Sequence, residues 1–449
     1  MSILTTALYR QGASHVKKNV VCQDYAQLLI PNDDVFILAL SDGHGSPKYF
    51  RSDVGSKFAV ETAIEALTEF VKEFEPNKYL PNIINIKQGP IKDGIELNSI
   101  ECDKIFRHLG SSIIYRWYDK IMSHWDNYPP TEVELQKLSV EDKQYFQTND
   151  LSKRIPKAYG CTLQLAVRAK DYWFAIHIGD GKIVAIKDNG DIYEPVPWDD
   201  DCFGTKTTSM CELDSNLIRY CFGRDLSDSA AIFLASDGMD DSFTNFEELA
   251  SMYGVNIINE IYNKGWSNFS SNLPDLLDLL SKTRSGDDMS LACWIDEDKI
   301  KDMLPNILTN DLNRIEKGIH LYNNKKKDVE KELSQYEHRL SDISKQKERF
   351  EDAVGELKQC KTRLLERIGE VLSYLKEESI FSAFIKTESH INRALSVKDG
   401  EKTRLEVEIK IRKNEMNQLS NLLQNLESCL LYTSPSPRDI SGSRMPSSA

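Results

Sequence analysis

Residues 35–45 read Val-Phe-Ile-Leu-Ala-Leu-Ser-Asp-Gly-His-Gly, and this stretch decides the fold of the chain. An apolar run is followed by a small residue and then by Asp-Gly, a pattern typical of a buried strand that ends in a turn. The pattern recurs where residues 172–178 lead into Gly-Asp180-Gly and where residues 231–235 lead into Ser-Asp237-Gly. Each run therefore places one carboxylate at the end of a strand.

Two further acidic positions lie beside predicted strands. Asp24 opens the first of these strands and Asp287 precedes the last. Short carboxylates at turns suit Mg²⁺ or Mn²⁺, and the glycine beside Asp42 lets backbone carbonyls approach an ion. Two such ions can orient a water molecule, lower its pKa and direct it at phosphorus, while His44 could protonate the leaving oxygen. A metal-dependent enzyme is the leading hypothesis.

The composition restricts the class of protein. The 449 residues carry a formal net charge of −14, which argues against a general nucleic-acid binder because such proteins present a basic surface. No apolar stretch approaches the roughly 18 residues needed to span a membrane, and the N-terminal residues lack a signal-peptide pattern. The nine cysteines include no Cys-x-x-Cys pair, as is typical of reduced thiols. We expect a soluble cytoplasmic protein that binds neither nucleic acid nor a membrane.

Residues 1–297 are predicted to form a catalytic domain, with an insertion at about 76–150. Helices are expected over about 54–67 and 102–125, with two or three more between 244 and 282. Consecutive strands with short turns, and helices gathered in blocks, indicate an α+β fold of antiparallel sheets. The predicted strands are 25–30, 35–40, 161–167, 172–178, 182–186, 217–221, 231–235 and 290–295.

Residues 305–430 are rich in Lys, Glu, Leu and Gln, which predicts long helices. Alternating steps of three and four residues from Leu333 to Leu375 meet mostly apolar side chains, as in a coiled-coil heptad, and a second such series runs from Ile391 to Leu426. The two helices could form a helical hairpin or could pair between chains and so cause self-association. The alternative is a plain helical appendage packed on the catalytic domain. The Ser- and Pro-rich residues 431–449 are predicted to be disordered or artefactual.

The order of these motifs resembles the metal-dependent protein phosphatases of type 2C (the PPM family), in their bacterial form. The resemblance covers residues 9–297 and implies an antiparallel β-sandwich flanked by helices, with a metal site at one end. The motifs that carry it are Gln23-Asp24, Ser41-Asp42-Gly43-His44-Gly45, Gly179-Asp180-Gly181, Ser236-Asp237-Gly238 and Asp287-Asp288-Met289-Ser290.

The resemblance also implies the ligands of two Mg²⁺ or Mn²⁺ ions. Asp42 would bridge the two ions, and the Gly43 carbonyl would complete the coordination of one of them. Asp237 and Asp287 would hold the other ion. Asp24 would act through a water molecule.

Two more positions receive roles from the resemblance, and each has an alternative interpretation. Asp180 matches the position that some bacterial members use for a third, weaker metal, although Asp-Gly between two strands is also a hairpin signal. His44 matches the proposed general acid, although it could simply hydrogen-bond within its glycine-rich turn. In the last motif the family pattern favours Asp287 over Asp288.

One departure from the family concerns the substrate phosphate. Many members carry a phosphate-binding Arg shortly before the Gln-Asp pair, where this chain offers His15, Lys17 and Lys18. A lysine binds phosphate as a point charge and lacks the two-pronged geometry of Arg.

Two functions follow from these observations. The first is a serine/threonine protein phosphatase whose substrate is a phosphorylated protein, such as a Ser/Thr kinase or its target, attacked by water activated at a two-metal centre. The second is a catalytically weak or inactive signalling scaffold that acts through its coiled coil. A two-metal nuclease is disfavoured because the chain has no basic track.

Overall fold

The computed structural model describes residues 2–76, 85–87, 97–146, 152, 154–199, 201–202, 206–368 and 378–433. The chain divides into two compact units, residues 1–311 and 312–449. In the part of the chain so described, no helix has the length and apolar character needed to cross a membrane. The predicted tail lies outside the described residues from position 434 onward, and the predicted domain boundaries stay predictions.

The first unit is built on two sheets in which every strand pair is antiparallel. One sheet has the strand order β1-β11-β10-β7-β8, and the other has the order β2-β3-β5-β6-β9-β4. The strands are β1 (Ile3–Arg10), β2 (Tyr25–Asn32), β3 (Val35–Ser41), β4 (Asn85–Lys87), β5 (Leu163–Arg168), β6 (Trp173–Ile178), β7 (Lys182–Ile186), β8 (Ile192–Tyr193), β9 (Arg219–Gly223), β10 (Ala231–Ala235) and β11 (Met289–Asp296).

Helices cover the outer faces of both sheets and also form the second unit. A π-helical segment, Met252–Asn259, joins two of them. The α-helices are α1 (Ala13–Lys18), α2 (Ser52–Glu73), α3 (Leu97–Asn127), α4 (Glu132–Gln136), α5 (Val140–Phe146), α6 (Ile155–Ala158), α7 (Asp237–Asp240), α8 (Phe246–Ser251), α9 (Glu260–Lys264), α10 (Trp266–Thr283), α11 (Ile300–Ile368) and α12 (Glu378–Thr433).

Strand β10 is apolar along its whole length and β3 along most of it, because both faces of these strands pack against other layers. In β3, Ile37 and Ala39 pack in the core shared with α2 and α3, whereas Leu38 and Leu40 pack between the two sheets. This alternation is the two-residue period of a strand. In β10 the same alternation directs one set of side chains to the opposite sheet and the other set to the helices over its own outer face. The result is a sandwich of two sheets between two helical layers.

The predicted fold class, an α+β antiparallel sandwich flanked by helices, is confirmed. All eight predicted strands are present, within two residues at their ends. Sequence reasoning missed β1, β4 and β8, of which β8 has only two residues and β1 is a half-buried strand at the sheet edge. In the predicted insertion the structure describes α3, α4, α5 and the short β4, and the remainder lies outside the described residues.

In the second unit, α11 and α12 run antiparallel. Among the described residues five ion pairs join them, and the pairs at the two ends show the direction: Lys325 pairs with Glu415, whereas Lys347 further along α11 pairs with Asp399 earlier in α12. Among the described positions of the predicted apolar series, Leu333 and Ile343 of α11 and Leu405, Ile409 and Leu419 of α12 are buried. A coiled coil stays a prediction. Self-association of this unit stays a prediction. The pairs are Lys325–Glu415, Glu332–Arg412, Glu337–Lys413, Arg339–Glu401 and Lys347–Asp399.

A buried arginine fastens the start of α2 to the helices that follow α3. Arg51 donates two hydrogen bonds to the carboxylate of Glu134, at 2.8 and 3.2 Å, and others to the Tyr128 carbonyl and the Tyr159 hydroxyl. Burial alone would raise the pKa of Glu134, but the hydrogen bonds from Arg51 and Thr131 outweigh it and lower that pKa to about 2. The ion pair therefore stabilises the folded state.

We expect Arg51→Met to lower the free energy of unfolding by about 3 kcal/mol, because it leaves a partly buried carboxylate without its cation. The folded-state pKa of Glu134 lies below its unfolded value, so this stabilisation is present above about pH 4.5 and is lost as the pH falls toward 2. Urea unfolding between pH 3 and pH 7 measures both effects. Arg154→Met, which removes a more exposed guanidinium, is the control, and equal stability of the two variants would contradict the prediction.

Candidate metal centre

The pairing of β2 with β3 brings two of the predicted carboxylates to one edge of the sandwich. Tyr25, the first residue of β2, lies opposite Ser41, the last residue of β3. Asp24 immediately precedes the one strand and Asp42 immediately follows the other. The antiparallel register therefore places both acidic residues at the same end of the six-stranded sheet.

The other sheet delivers its carboxylates to that edge in the same way. Ala235, the last residue of β10, lies opposite Leu291 near the start of β11 and opposite Lys182 at the start of β7. Asp237 therefore lies beside the residues that precede β11 and β7. The side chain of Gln164 in β5 donates a hydrogen bond of 2.8 Å to the Ala235 carbonyl and links the two sheets here.

The carboxyl groups of Asp42 and Asp237 lie within hydrogen-bond distance of each other. Burial, the charge of Asp237 and the charge of Asp24 hold the pKa of Asp42 well above its ordinary value. Burial also raises the pKa of Asp237, and Asp287 adds to this effect. Carboxylates this close repel each other, so they need a proton or a cation between them.

Asp24 is a buried acid with little compensation. Its side chain is 3 % exposed, and neither carboxylate oxygen makes a hydrogen bond of ordinary geometry, although the hydroxyls of Ser236 and Ser290 lie near enough to favour its ionised form. Burial and the neighbouring Asp288 raise the pKa of Asp24 to about 8. Buried polar atoms without partners are rare in folded proteins, and such atoms commonly bind an ion or water.

The structure gives Asp287 and Asp288 different environments. Asp288 is buried, and its two oxygens accept hydrogen bonds of 2.6 Å from the backbone N–H groups of Gly12 and Gln23. His15 approaches the same carboxylate, with Nδ1 at 2.9 Å from Oδ1. Asp288 therefore fastens the N-terminal segment to the start of β11.

Asp287 is the more available of the two. Its side chain is 52 % exposed, and its charge raises the pKa of both Asp42 and Asp237. His15 Nε2 lies 3.6 Å from Asp287 Oδ1, and the ligand atoms of His15, Asp287 and Asp288 all lie within 4.8 Å of one another. The sequence suggested His15 as a residue that could bind the substrate phosphate, but in the structure its side chain lies against Asp287 and Asp288.

Asp180 lies at the rim of the acidic edge. Burial and the charge of Asp237 raise its pKa to about 6. Asp241, one residue beyond α7, lies one helical turn after Asp237, and its N–H donates to the Asp237 carbonyl at 2.7 Å. Burial and the charges of Asp180 and Asp287 raise its pKa. Sequence reasoning missed Asp241, although its place four residues after Asp237, one helical turn further on, was a signal that could have found it.

Two glycines in the predicted motifs are required by close packing of the backbone. A Cβ atom at Gly43 would lie 2.7 Å from the Ser52 carbonyl oxygen and 2.8 Å from the Gln23 carbonyl oxygen. A Cβ atom at Gly238 would collide with the Asp288 carbonyl. Both contacts join the Asp-Gly turns to the segments that carry the other acidic residues, so they keep the carboxylates together.

His44 lies beside the acidic edge as a neutral imidazole. Its Nε2 is 2.8 Å from the Ser209 hydroxyl, and its ring packs edge-on against Tyr49 with 4.7 Å between the centroids. Burial lowers the pKa of His44 to about 4, with smaller contributions from Lys157 and Lys48. Ser209 and Tyr49 were not predicted from the sequence, and no local pattern marked them.

The residues at this edge fit a hard divalent cation. Five carboxylates there act on one another electrostatically, and their side chains offer only oxygen ligand atoms, which Mg²⁺ and Mn²⁺ prefer. The bare oxygens of Asp24 and the contact between Asp42 and Asp237 are the two features that a bound cation would compensate. The five are Asp24, Asp42, Asp180, Asp237 and Asp287.

Comparison with known families agrees with this arrangement. Residues 11–268 match the family model of protein phosphatase 2C, which is more than half of the chain. The chain belongs to the protein phosphatase 2C family. Its two antiparallel sheets flanked by helices are thus a protein phosphatase 2C fold, and metal dependence by Mg²⁺ or Mn²⁺ is general to that family.

Solved bacterial phosphatases resemble this protein phosphatase 2C chain at low sequence identity. A serine/threonine phosphatase of S. agalactiae is 16% identical, with a TM-score of 0.36, and the match covers 66% of this chain and 100% of the other. The serine/threonine phosphatase of Staphylococcus aureus is 13% identical, with a TM-score of 0.38 and coverage of 66% and 95%. That of Mycobacterium tuberculosis is 12% identical, with a TM-score of 0.36 and coverage of 66% and 99%. No curated protein sequence matches the chain.

Proposed function

We propose that this chain is an active, metal-dependent serine/threonine protein phosphatase of the cytoplasm that hydrolyses phosphoprotein monoesters. The observation that carries the proposal is the meeting of the Asp42 and Asp237 carboxyl groups beside the uncompensated Asp24. An arrangement that costs this much electrostatic energy supports a site selected for binding cations. The substrate would be a phosphorylated protein, such as a Ser/Thr kinase or its target.

In this proposal Asp42 would bridge two Mg²⁺ or Mn²⁺ ions, with Asp237 and Asp287 as further ligands. Asp24 would contribute through a water molecule and Gly43 through its carbonyl. When bound, such ions neutralise phosphoryl charge and lower the pKa of a water molecule. The exposure of Asp287, against the complete satisfaction of Asp288 by backbone donors, supports Asp287 as the ligand.

The remaining residues of the edge act around the phosphoryl group. His44, whose Nε2 meets the Ser209 hydroxyl, would exchange a proton with the leaving Ser or Thr oxygen, and the negative charge of a bound phosphoryl group would raise its low pKa toward that role. Asp180 and Asp241 lie at the rim and could hold a third, weaker ion. Hydrogen bonds to the carboxylates at this edge would hold the attacking water in position. Because water and substrate would then be oriented within one complex, less entropy is lost on the way to the transition state.

A second candidate is a signalling scaffold with weak or no catalysis. The five ion pairs between α11 and α12 favour this candidate, because they hold the two helices together as a long unit whose surface could bind partner proteins. In that case the phosphatase-like unit would bind a phosphoprotein without turning it over.

Hydrolysis of p-nitrophenyl phosphate and of a phosphothreonine peptide distinguishes the two candidates. Assays with Mn²⁺ or Mg²⁺ should give turnover that EDTA abolishes and that added Mn²⁺ restores. The full chain should be used, with its bound metal measured in parallel. A folded, metal-loaded sample without turnover on either substrate would contradict the phosphatase and support the scaffold.

A further inference from the structure

We infer that Lys48 and Lys157 form an anion-binding pair beside His44, which receives the negatively charged groups of the substrate. The identity of that anion rests on the proposed phosphatase function. Lys48 belongs to the 3₁₀ turn Pro47–Tyr49, and Lys157 to α6. They come from parts of the chain more than a hundred residues apart, so no sequence motif contains both.

A shared aromatic ring brings the two ammonium groups together. Lys48 Nζ lies 5.1 Å from the centroid of the Tyr49 ring, and Lys157 Nζ lies 5.2 Å from the same centroid. The Tyr49 ring in turn packs against His44. Contacts of this kind hold lysine ammonium groups near a ring face and limit the rotamers of the side chains.

The backbone around this pair is fixed to the acidic edge. The His44 N–H donates to the Gly160 carbonyl at 3.1 Å, and the Thr162 N–H donates to the Asp42 carbonyl at 2.8 Å. The segment 157–162 therefore runs alongside residues 42–49. A Cβ atom at Gly160 would collide with both His44 and Tyr49, so the two segments are closely packed here. This packing fixes the backbone of Lys48 and Lys157 beside His44.

Neither lysine is neutralised by a carboxylate. Across the described part of the chain, no ion pair includes Lys48 or Lys157, and Glu212 acts on Lys157 only through its distant charge. Both lysines are half-buried, and both charges act on His44. Both ammonium groups lie close to the Tyr49 ring, so an anion bound beside that ring would be attracted by two positive charges at once.

The position of the pair matches a need of the proposed reaction. A phosphoryl dianion that approaches five carboxylates requires positive groups besides any metal ions. Arg10 and Arg51, which lie before Asp24 and after His44 in the sequence, are already engaged by Asp278 and Glu134. Lysines that act as point charges, without the two-pronged geometry of Arg, would then supply the positive charge.

The anion that meets the pair could be the phosphoryl group itself or an acidic side chain next to the phosphorylated residue. The test compares the double variant Lys48→Gln/Lys157→Gln with the wild-type full chain, both loaded with Mn²⁺. Calorimetric titration with inorganic phosphate measures anion binding without turnover. Kinetics with p-nitrophenyl phosphate, and with phosphothreonine peptides that have acidic or neutral flanking residues, separate the two sources of negative charge.

We expect the double variant to bind phosphate about tenfold more weakly, with a similar rise in KM for all substrates, if the phosphoryl group is the anion. A tenfold rise in KM confined to the acidic peptide would assign the pair to flanking side chains. Both results support the pair. The matched control is Lys170→Gln/Lys187→Gln. These lysines follow the ends of β5 and β7 that lie away from the acidic edge, so the control removes two charges far from the site and should change none of these values.

Unchanged phosphate affinity and unchanged KM on every substrate would overturn the inference. So would an equal loss in Lys17→Gln/Lys18→Gln, since these exposed lysines of α1 would then be the anion site. If the wild type binds phosphate through Lys48 and Lys157 but hydrolyses nothing, the phosphatase proposal fails and the anion-binding pair remains. Thermal unfolding of each variant checks that the substitutions leave the fold intact.

Discussion

Asp42→Asn should lower kcat for phosphopeptide hydrolysis by about a thousandfold or more. The carboxyl group of Asp42 meets that of Asp237, and its position between the acids of the two sheets makes it the ligand proposed to bridge two ions. Asn keeps the size of the side chain but removes the charge and one oxygen donor. Loss of a bridging ligand costs several kcal/mol of transition-state stabilisation, which corresponds to a rate effect of this size.

The matched control is Asp33→Asn. Asp33 is an exposed residue in the turn between β2 and β3, at the opposite end of β3 from Asp42, so this variant makes the same chemical change away from the acidic edge. It should retain full activity. The metal-free Asp42→Asn protein should be at least as stable as the wild type, because the substitution removes repulsion with Asp237. Activity of Asp42→Asn within tenfold of the wild type would refute the proposed role.

The second large effect is a rise in the unfolding temperature when metal ions bind. Saturation with Mn²⁺ should raise the unfolding temperature of the first unit by about 5–10 °C relative to the protein in EDTA. A ligand at a hundred times its dissociation constant stabilises the folded state by about 2.7 kcal/mol, and each kcal/mol shifts the midpoint of a domain this size by about 2–4 °C. The raised pKa values of Asp42, Asp237 and Asp24 give the physical reason, since a cation relieves the repulsion that raises them.

Calorimetry of the full chain with and without Mn²⁺ measures this shift. Asp237→Asn should lose most of it, whereas Asp33→Asn should keep it. If Asp237→Asn and the wild type show the same shift, the ion binds elsewhere, and the acidic edge is not the metal centre. A shift of less than about 1 °C at millimolar Mn²⁺ would contradict metal binding to the folded protein altogether.

The local sequence pattern was sufficient to predict most strands of the sandwich and to show which strand ends carry acidic residues. A continuous apolar run predicts a strand buried on both faces, and the Asp-Gly after it predicts a turn, so residues 35–45 identify both features at once. The convergence of Asp24 with Asp42 then needs only the assumption that consecutive strands pair. The same reasoning missed β1, whose eight residues are half-buried at a sheet edge and so lack the continuous apolar run.

The rest of the site depends on contacts between distant segments, which no local pattern records. Asp287 and Asp288 are adjacent and identical in type, and only the docking of Gly12 and Gln23 on Asp288 distinguishes them. Lys157 reaches the Tyr49 ring through the packing of α6. Arg51 and Glu134 are 83 residues apart. These contacts result from the packing of whole helices and strands against each other. The residues involved show no periodic pattern in the sequence from which the contacts could be predicted.

The pairing of β1 with β11 has a consequence for the order in which the protein is made. These strands are the first and the last of their sheet, with Ile3 opposite Asp296, and Asp288 lies between the N-terminal segment and β11. A ribosome needs about 15 to 60 seconds to add the residues that separate them. For that time β1 lacks its partner strand, and the Gly12 and Gln23 N–H groups lack the Asp288 carboxylate that accepts their hydrogen bonds. The N-terminal edge of this sheet is therefore completed only when the last strand of the sheet has been made.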